Sequence, residues 1–385
     1  PDGGTIVFAA TDARDRSARA LVQQSLYVMP AGGGEPRRLT GDEASYAAPQ
    51  FAPDGSALYA RATPRTKFVY NDDRLVRFDW ANPAPRPVAF GFDRSVGSFR
   101  VSPDGETVYL LAEHDGRERL FAVPATGGAV REVGSLESGN LSGLQVEGTE
   151  ESPVIVANWG SAVSPPEVMR LDAADGARRP LSAFNAERVA AIDWLPIEEF
   201  WFTGRRGARI HNMLALPPGF DPAKKYPLFV LIHGGPHLMY KDEFFLRWNY
   251  HLLAAPGYVV LMTNYRGSTG FGEAFAQSIQ GDPLMGPADD INQAADEAIR
   301  RYPFIDASRQ AAGGASYGGH LSNWLQGTTT RYRCLVSHAG LVNSEAQWGT
   351  SDTIYGREQN AGGPVWERGG VWVTQNPMLK AASFQ

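Results

Sequence analysis

Short apolar runs, each preceded by a turn motif, recur along the first half of the chain. The triplet Pro-Asp-Gly stands at residues 1–3, 53–55 and 103–105, and an alternating run typical of a strand follows each copy. In such a turn Pro fixes φ at the first corner, Asp can bond the backbone ahead, and Gly supplies the positive φ that reverses the chain. The copies start 52 and 50 residues apart (53 minus 1, 103 minus 53), close to the period of about 40 to 50 residues of propeller blades. The pattern therefore predicts hairpin-rich blades.

A fourth blade is predicted from the apolar runs at 154–157 and 167–171, although it lacks the Pro-Asp-Gly turn. Glycine-containing segments at 31–34, 125–128 and 173–176 predict further hairpin turns. A blade cannot bury its faces alone, and propellers close with about 4 to 8 blades. We therefore predict a partial β-propeller over residues 1–190, with three to four blades visible. Since the chain opens inside a motif, we expect further blades upstream of residue 1.

From about residue 190 the pattern changes to strands that alternate with helices. Antiparallel lead-in strands are predicted at 199–202 and 210–216, and the continuous apolar runs at 228–232 and 258–262 are typical of buried parallel strands. A strand at 310–315, a helix at 319–327 and a strand at 334–337 complete the series. The pattern predicts a doubly wound α/β domain over residues 191–385.

Apolar residues recur at helical spacing over 288–302 and predict a crossover helix. Asp289 and Asp290 stand near its predicted start. Two adjacent aspartates could form a metal pair, but partners of the helix N-terminus and its dipole are the commoner role. We therefore predict capping and no metal.

Composition and charge narrow the classes of partner. A length of 385 residues exceeds the roughly 250 to 300 that one hydrophobic core organises, so two domains are expected. The composition, with 43% apolar and 20% charged residues, is typical of a folded globular chain. The formal charge of −6 offers no basic footprint for nucleic acid, and no apolar run approaches the ~20 residues that span a bilayer. We therefore expect neither nucleic acid nor membrane as partner, and no motif indicates a cofactor.

The single cysteine, Cys334, excludes an internal disulfide and a CxxC metal site. It stands in an apolar stretch, which predicts a buried and inert thiol. The sequence thus predicts no metal centre.

The segment 314–318, Gly-Ala-Ser-Tyr-Gly, is a G-x-S-x-G nucleophile elbow placed between a predicted strand and a predicted helix. Small residues are needed there because the serine sits on a strained turn where strand and helix pack closely. The alternative is a glycine-rich turn whose Ser316 only caps the helix. A second element, His-Gly-Gly-Pro at 233–236, follows the first buried strand, as do loops that supply an oxyanion donor. We predict Ser316 as nucleophile and the backbone N–H groups of Gly235 and Tyr317 as the oxyanion hole.

The remaining polar residues of these motifs have open roles. His233 is expected to fix its loop through hydrogen bonds, because α/β-hydrolases order their triad as Ser, acid, His. Asn264 and Arg266 could line the site or hold a turn. The adjacent Glu150 and Glu151 could bind a substrate amine, but we expect two neighbouring acids in a polar turn to be only solvated.

Three segments, 233–236, 264–272 and 314–319, together resemble successive signatures of the prolyl oligopeptidase family. They are most similar to its branch of acylaminoacyl and dipeptidyl peptidases, and 323–327 with 337–343 resembles the dipeptidyl peptidase 5 type. The resemblance covers the whole chain and implies a propeller joined to an α/β-hydrolase domain. It implies a serine peptidase that cleaves short peptides through an acyl-enzyme, of dipeptidyl or acylaminoacyl specificity. It also favours a periplasmic or secreted location, with a cytoplasmic one left open, and does not indicate the oligomeric state.

The chain departs from the family pattern after the nucleophile. His320, His338 and Asp352 follow Ser316, but none forms the expected order of acid and then histidine at strand ends. We therefore expect the triad Asp and His beyond residue 385, in a hydrolase domain that lacks its C-terminal portion. This chain alone should then be inactive.

Two alternatives remain open at this stage. An esterase of the α/β-hydrolase fold would share the elbow and the oxyanion loop, since both chemistries are acyl transfer. A propeller joined to a non-catalytic hydrolase scaffold would explain the absent histidine.

Overall fold

The computed structural model describes residues 2–149, 152–367 and 369–384. Its internal contacts divide the chain into two units. The first extends to Phe184, apart from Phe68–Tyr70 and Ser161–Pro165, and the second comprises these two segments and the chain from Asn185 onward. The change of sequence pattern near residue 190 falls close to this division.

The strands of the first unit are, in chain order, β1 (Thr5–Ala10), β2 (Ser25–Pro30), β3 (Arg37–Arg38), β4 (Ala44–Phe51), β5 (Ala57–Pro64), β6 (Arg74–Asp79), β7 (Asn82–Pro87), β8 (Ala89–Phe90), β9 (Val96–Val101), β10 (Thr107–His114), β11 (Arg117–Pro124), β12 (Gly128–Ala129), β13 (Arg131–Glu132), β14 (Asn140–Thr149), β15 (Ser152–Ser161), β16 (Ser164–Leu171) and β17 (Arg178–Pro180). In the described residues they form sheets ordered β1-β2-β3, β4-β5-β6-β7, β13-β11-β10-β9 and β14-β15-β16-β17, and β8 pairs with β12. These short antiparallel sheets follow one another along the chain in the region where the sequence predicts blades.

The turn chemistry expected from Pro-Asp-Gly is present. Asp54 Oδ1 accepts a hydrogen bond from the Ser56 N–H at 2.9 Å, and Gly55 has φ +74°. Asp104 and Gly105 repeat this arrangement, with φ +72° at the glycine. In the first copy Pro1 lies outside the described residues.

Each sheet of the first unit buries apolar side chains against the next. The buried clusters include Leu26, Tyr46 and Phe78 between the first and second sheets, Tyr59, Phe99 and Leu110 between the second and third, and Leu111, Leu141 and Ile155 between the third and fourth. Successive sheets thus stabilise one another, as repeat units do.

The second unit contains the elements α1 (Ala186–Ala190), β18 (Glu198–Thr203), β19 (Arg209–Ala215), β20 (Tyr226–Ile232), α2 (Tyr250–Ala254), β21 (Val259–Asn264), α3 (Glu273–Gln277), α4 (Met285–Arg301), β22 (Ile305–Ala315), α5 (Tyr317–Gln326), β23 (Cys334–His338), α6 (Ser344–Thr350), α7 (Ile354–Ala361) and α8 (Val371–Thr374). A 3₁₀ turn follows at Pro377–Ser383, and the first unit has one at Arg14–Arg16. Its six strands are ordered β18-β19-β21-β20-β22-β23. The first two are antiparallel, and β21, β20, β22 and β23 run parallel. The predicted lead-in strands and parallel sheet are both present.

The core of the second unit lies between this sheet and its helices. Leu228 and Val230 of β20, Val259 of β21 and Ile291 and Ala294 of α4 are at most 1% exposed. In the described part of the chain, each helix is too short or too polar to cross a bilayer.

The prediction that Asp289 and Asp290 cap the helix N-terminus is wrong. Helix α4 begins at Met285, three residues before the predicted start, so Asp290 lies beyond the first turn. It is fully buried and pairs with Arg266 instead. The apolar pattern could not reveal this start, because Pro287 and Gly286 occupy the first turn.

The prediction of a buried Cys334 is also wrong. Among the residues that the structure describes, β23 is the last strand in the order of the sheet, and Cys334 is exposed there.

Candidate active site

Ser316 joins the end of β22 to the beginning of α5 in a strained conformation. Its φ of 56° and ψ of −118° lie in a region that non-glycine residues rarely adopt, at a cost of about 1 to 3 kcal/mol. Its N–H donates to the His338 carbonyl at 2.9 Å, and its carbonyl accepts from the His320 N–H at 2.9 Å. The residue is exposed, and its side chain makes no capping hydrogen bond to α5. The alternative of a serine that only caps the helix is therefore not supported.

The glycines around Ser316 are required by close backbone approach. A Cβ on Gly314 would lie 2.2 Å from the Ile232 carbonyl oxygen, and one on Gly318 would lie 2.3 Å from the same atom. A Cβ on Gly319 would lie 2.8 Å from Gly340 Cα. Real Cβ atoms do not approach so closely, so the end of β20 and the elbow fit together only without these side chains.

The His-Gly-Gly-Pro loop lies beside the serine. A Cβ on Gly234 would lie 3.6 Å from Ser316 Cβ. Gly235 has φ +111°, where a side chain would be strained, and its Cβ would lie 2.7 Å from the His237 nitrogen. The two motifs that the sequence analysis singled out are thus brought together.

His233 holds this loop from within. Its Nδ1 lies 2.7 Å from the Gly234 oxygen, and its Nε2 lies 2.9 Å from Ser268 Oγ. The Tyr265 hydroxyl donates to the His233 carbonyl at 2.7 Å, and the two rings stack with centroids 4.2 Å apart. Burial lowers the pKa of His233 to about 4, so the ring is neutral near pH 7. A proton on Nδ1 satisfies the contact with the Gly234 oxygen, and Ser268 Oγ donates its own proton to the Tyr265 carbonyl at 2.7 Å.

Asn264 and Arg266 have structural contacts. Asn264 is fully buried, and its side chain accepts from the Tyr240 N–H at 2.7 Å and donates to the Tyr240 carbonyl at 3.1 Å. Arg266 donates to Asp290 from its backbone N at 3.0 Å, from Nε at 2.8 Å and from its terminal amine at 2.6 Å. Both residues therefore hold the segment after β21 in place.

Tyr317 begins α5, and its half-buried side chain packs against the core of the second unit. Its hydroxyl donates to the Pro283 carbonyl, and burial raises its pKa well above the ordinary value. The N–H groups in the first turn of a helix have no partner within the helix. At this position the helix dipole also favours a negative charge.

The other candidate residues are dispersed. His320 lies on α5, one turn after Ser316; His338 lies on β23 and is exposed; and Asp352 lies in an exposed bend before α7. In the described residues no side chain forms a hydrogen bond with Ser316 Oγ. Glu150 and Glu151 lie outside the described residues.

One segment near the loop is not indicated by the sequence. Phe68–Tyr70 belongs to the second unit, where the Tyr70 ring packs on His237 with centroids 4.8 Å apart. His237 in turn contacts the Gly267 carbonyl through Nδ1 at 2.9 Å. Nothing in the composition of this segment distinguishes it from a blade connection, so no sequence signal was available.

Within the described ranges, no three metal-ligating side chains of the His, Cys, Asp and Glu type come together.

The second unit is an α/β protein of the doubly wound class, with a serine at a strained strand-to-helix turn. The model of the prolyl oligopeptidase family matches residues 244–383. Dipeptidyl-peptidase 5 of Porphyromonas gingivalis is 28% identical over 375 residues, which are 96% of this chain and 54% of that protein. A probable dipeptidyl-peptidase 5 of Aspergillus clavatus is 33% identical over 358 residues, 88% of this chain and 46% of that protein. The chain belongs to the prolyl oligopeptidase family, and it spans about half the length of these curated relatives.

Solved structures share the fold. An acylaminoacyl peptidase of Pyrococcus horikoshii superposes with a TM-score of 0.82 at 21% identity, over 99% of this chain and 58% of that one. A puromycin hydrolase superposes with a TM-score of 0.74 at 22% identity, over 100% of this chain and 58% of that one. The likeness extends through both units of the chain.

Proposed function

We propose that the protein containing this chain is a serine peptidase that cleaves short peptides through an acyl-enzyme, with Ser316 as its nucleophile. The observation that carries this proposal is the exposed Ser316 at a strained turn, with the Gly234 backbone beside it. Strain of this kind persists when the surrounding structure imposes it, and it concentrates at functional sites. The family membership and the names of the relatives point in the same direction.

In the proposed reaction Ser316 Oγ attacks the peptide carbonyl carbon and gives its proton to a histidine base. The carbonyl oxygen becomes an oxyanion, which the N–H groups of Gly235 and Tyr317 stabilise. The tetrahedral intermediate then releases the amine, which takes the proton, and water hydrolyses the ester by the same steps. Removal of one such donor costs about 10²- to 10³-fold in rate in comparable sites.

We propose that the base and its acid lie outside residues 1–385. In the described residues no histidine bonds Ser316 Oγ, and the relatives are about twice as long as the matched part. The second unit then corresponds to an α/β-hydrolase domain over residues 191–385. The sheets of residues 1–190 correspond to part of a β-propeller, which would limit substrates to short or unfolded peptides.

The nucleophile is tested by Ser316→Ala in the full-length protein. The kcat/KM for a chromogenic dipeptidyl or N-acyl substrate should fall by about 10³-fold or more. Ser278→Ala, at an exposed serine whose hydroxyl bonds the Phe275 carbonyl, is the matched control and should keep its activity. Retained activity in Ser316→Ala would remove the assignment.

The subtype is tested by one substrate in two forms. A dipeptidyl substrate with a free amine, compared with its N-acetylated form, separates dipeptidyl from acylaminoacyl specificity. Turnover of p-nitrophenyl esters with no cleavage of any short peptide would make the protein an esterase and contradict the proposal.

A further inference from the structure

Three glutamine side chains hold the segment Phe68–Tyr70 within the second unit. The segment lies between β5 and β6 and belongs to neither strand. Each glutamine bonds one main-chain group of it: Gln280 Oε1 accepts from the Val69 N–H at 2.9 Å, Gln277 Nε2 donates to the Tyr70 carbonyl at 3.1 Å, and Gln359 Nε2 donates to the Phe68 carbonyl at 3.1 Å. Side-chain amides thus satisfy backbone groups that a sheet would otherwise pair. These bonds fix the main chain that carries the Tyr70 ring.

The Tyr70 ring packs on His237, which follows Gly235 by two residues. The two centroids lie 4.8 Å apart, with the ring planes at 34°. His237 Nδ1 lies 2.9 Å from the Gly267 carbonyl oxygen. Burial lowers the pKa of His237, so the imidazole is neutral near pH 7, and Nδ1 carries the proton that this bond requires. A hydrogen bond and aromatic packing together hold the His237 ring.

These contacts form a closed ring that begins and ends at Gly267. The Gly267 N–H donates to the Phe275 carbonyl of α3 at 3.1 Å, and Gln277 of the same helix bonds Tyr70. Tyr70 then packs on His237, which bonds the Gly267 carbonyl. Residues of a site are held precisely when packing and hydrogen bonds fix their supports from several sides. The closed ring provides such support for His237.

The position of His237 determines that of the backbone beside the nucleophile. Gly235 has φ +111°, and a Cβ on it would lie 2.7 Å from the His237 nitrogen, so the two residues stand in a tight turn. A Cβ on the preceding Gly234 would lie 3.6 Å from Ser316 Cβ. A shift of His237 therefore moves the main chain next to Ser316. Functional groups of a site tolerate displacements of only about 0.5 Å.

We propose that Tyr70 is a positioning residue of the candidate oxyanion hole and acts on Gly235 through His237. Its ring holds His237, and His237 keeps the Gly235 N–H in the orientation that stabilises the oxyanion. The inference rests on the proposed function and extends its site to a segment far from the motifs in the sequence. If Tyr70 only added to packing, its loss would lower stability and leave the kcat of the folded protein unchanged.

The experiment removes the ring by Tyr70→Ala in the full-length protein. With a chromogenic dipeptidyl or N-acyl substrate, kcat should fall by about 10- to 100-fold while KM changes little. The reason is that an oxyanion donor stabilises the transition state more than the bound substrate, and a small misplacement weakens it. Tyr70→Phe keeps the ring and should recover most of the lost kcat.

Phe220→Ala is the matched control. Phe220 packs on Tyr226 with centroids 5.3 Å apart, at the start of β20, whereas the Gly235 loop follows the end of that strand. The variant removes an aromatic ring of similar packing from the same unit. It should lower the free energy of unfolding and keep kcat.

Gln277→Glu tests the same path without changing the ring, and it replaces Tyr70→Ala if that variant does not fold. The new carboxylate would face the Tyr70 carbonyl in place of an amide donor, so the segment should be displaced and kcat should fall. When both changes are combined, kcat should fall no further than in Tyr70→Ala alone, because both act through one contact.

An unchanged kcat in folded Tyr70→Ala or Gln277→Glu, or an equal loss of kcat in Phe220→Ala, would overturn this inference and leave the proposed function intact. A rise of KM in Tyr70→Ala with kcat unchanged would overturn it as well, since the ring would then bind substrate. Failure of the wild-type protein to cleave either kind of substrate would instead contradict the proposed function.

Discussion

The carboxylate of Asp290 and the guanidinium of Arg266 form a buried ion pair that fixes the segment after β21. Their side chains are 0% and 9% exposed. Asp290→Asn would leave the Arg266 charge buried without a counter-charge, which costs about 3 to 5 kcal/mol of unfolding free energy. Denaturant unfolding measures this loss.

Asp289→Asn is the control for this prediction. Asp289 lies 3.5 Å from Arg205, whose side chain is 73% exposed, so its loss should cost at most about 1 kcal/mol. Equal losses in the two variants would show that burial does not determine the strength of the Arg266 pair.

Residues with strict local requirements could be predicted from the sequence, and those with distant partners could not. The elbow at 314–318 is recognisable because its glycines are imposed by backbone contacts within one turn and one neighbouring strand. Arg266 and Asp290 are 24 residues apart, and neither residue type indicates the other. The sequence therefore left Arg266 between a site role and a structural one, and assigned Asp290 to capping.

At the scale of elements, the loop that carries Gly235 depends on Tyr265. Tyr265→Phe removes the hydroxyl that bonds the His233 carbonyl and leaves this buried acceptor unsatisfied, at about 1 to 3 kcal/mol. If the loop positions an oxyanion donor, kcat should fall by about 10-fold while KM changes little. Steady-state kinetics and denaturant unfolding measure the two effects.

Tyr332→Phe separates stability from positioning. The Tyr332 hydroxyl donates to Asn292 Oδ1 at 3.0 Å. This hydrogen bond involves no residue of the loop that carries Gly235. This variant should lose stability to a similar extent and keep its kcat. An equal fall of kcat in both variants would contradict the positioning role of Tyr265.

The elements that the sequence predicted correctly are those with buried apolar residues. The run at 228–232 predicted β20 to within two residues, because a central strand is apolar throughout. Strand β7, with the sequence NPAPRP, is mostly exposed and escaped prediction, because prolines are tolerated at a sheet edge and carry no strand signal. The short helices α6 and α7 were missed because they bury few side chains.

At the scale of the whole molecule, buried histidines make stability depend on pH. The pKa of His233 and that of His320 are each lowered to about 4 by burial, against about 6.5 in an unfolded chain. Between these pH values the unfolded chain binds more protons than the folded chain. The unfolding free energy should therefore fall as the pH drops from about 6.5 to about 4. Each histidine contributes about 3 kcal/mol over this interval.

His320→Gln should therefore flatten the pH dependence by about this amount. Denaturant unfolding at several pH values between 7 and 4, followed by tryptophan fluorescence, measures the slope. An identical slope in the variant and the wild-type protein would contradict the burial of a neutral imidazole.

The most direct test of the proposed function is to locate the reactive serine chemically. A fluorophosphonate bonds to an activated serine oxygen and releases fluoride, so the full-length protein should gain one adduct. Peptide mapping by mass spectrometry should place it on Ser316, and Ser316→Ala should carry no adduct and show no peptidase activity. An adduct on another serine, with hydrolysis unchanged in Ser316→Ala, would contradict the account.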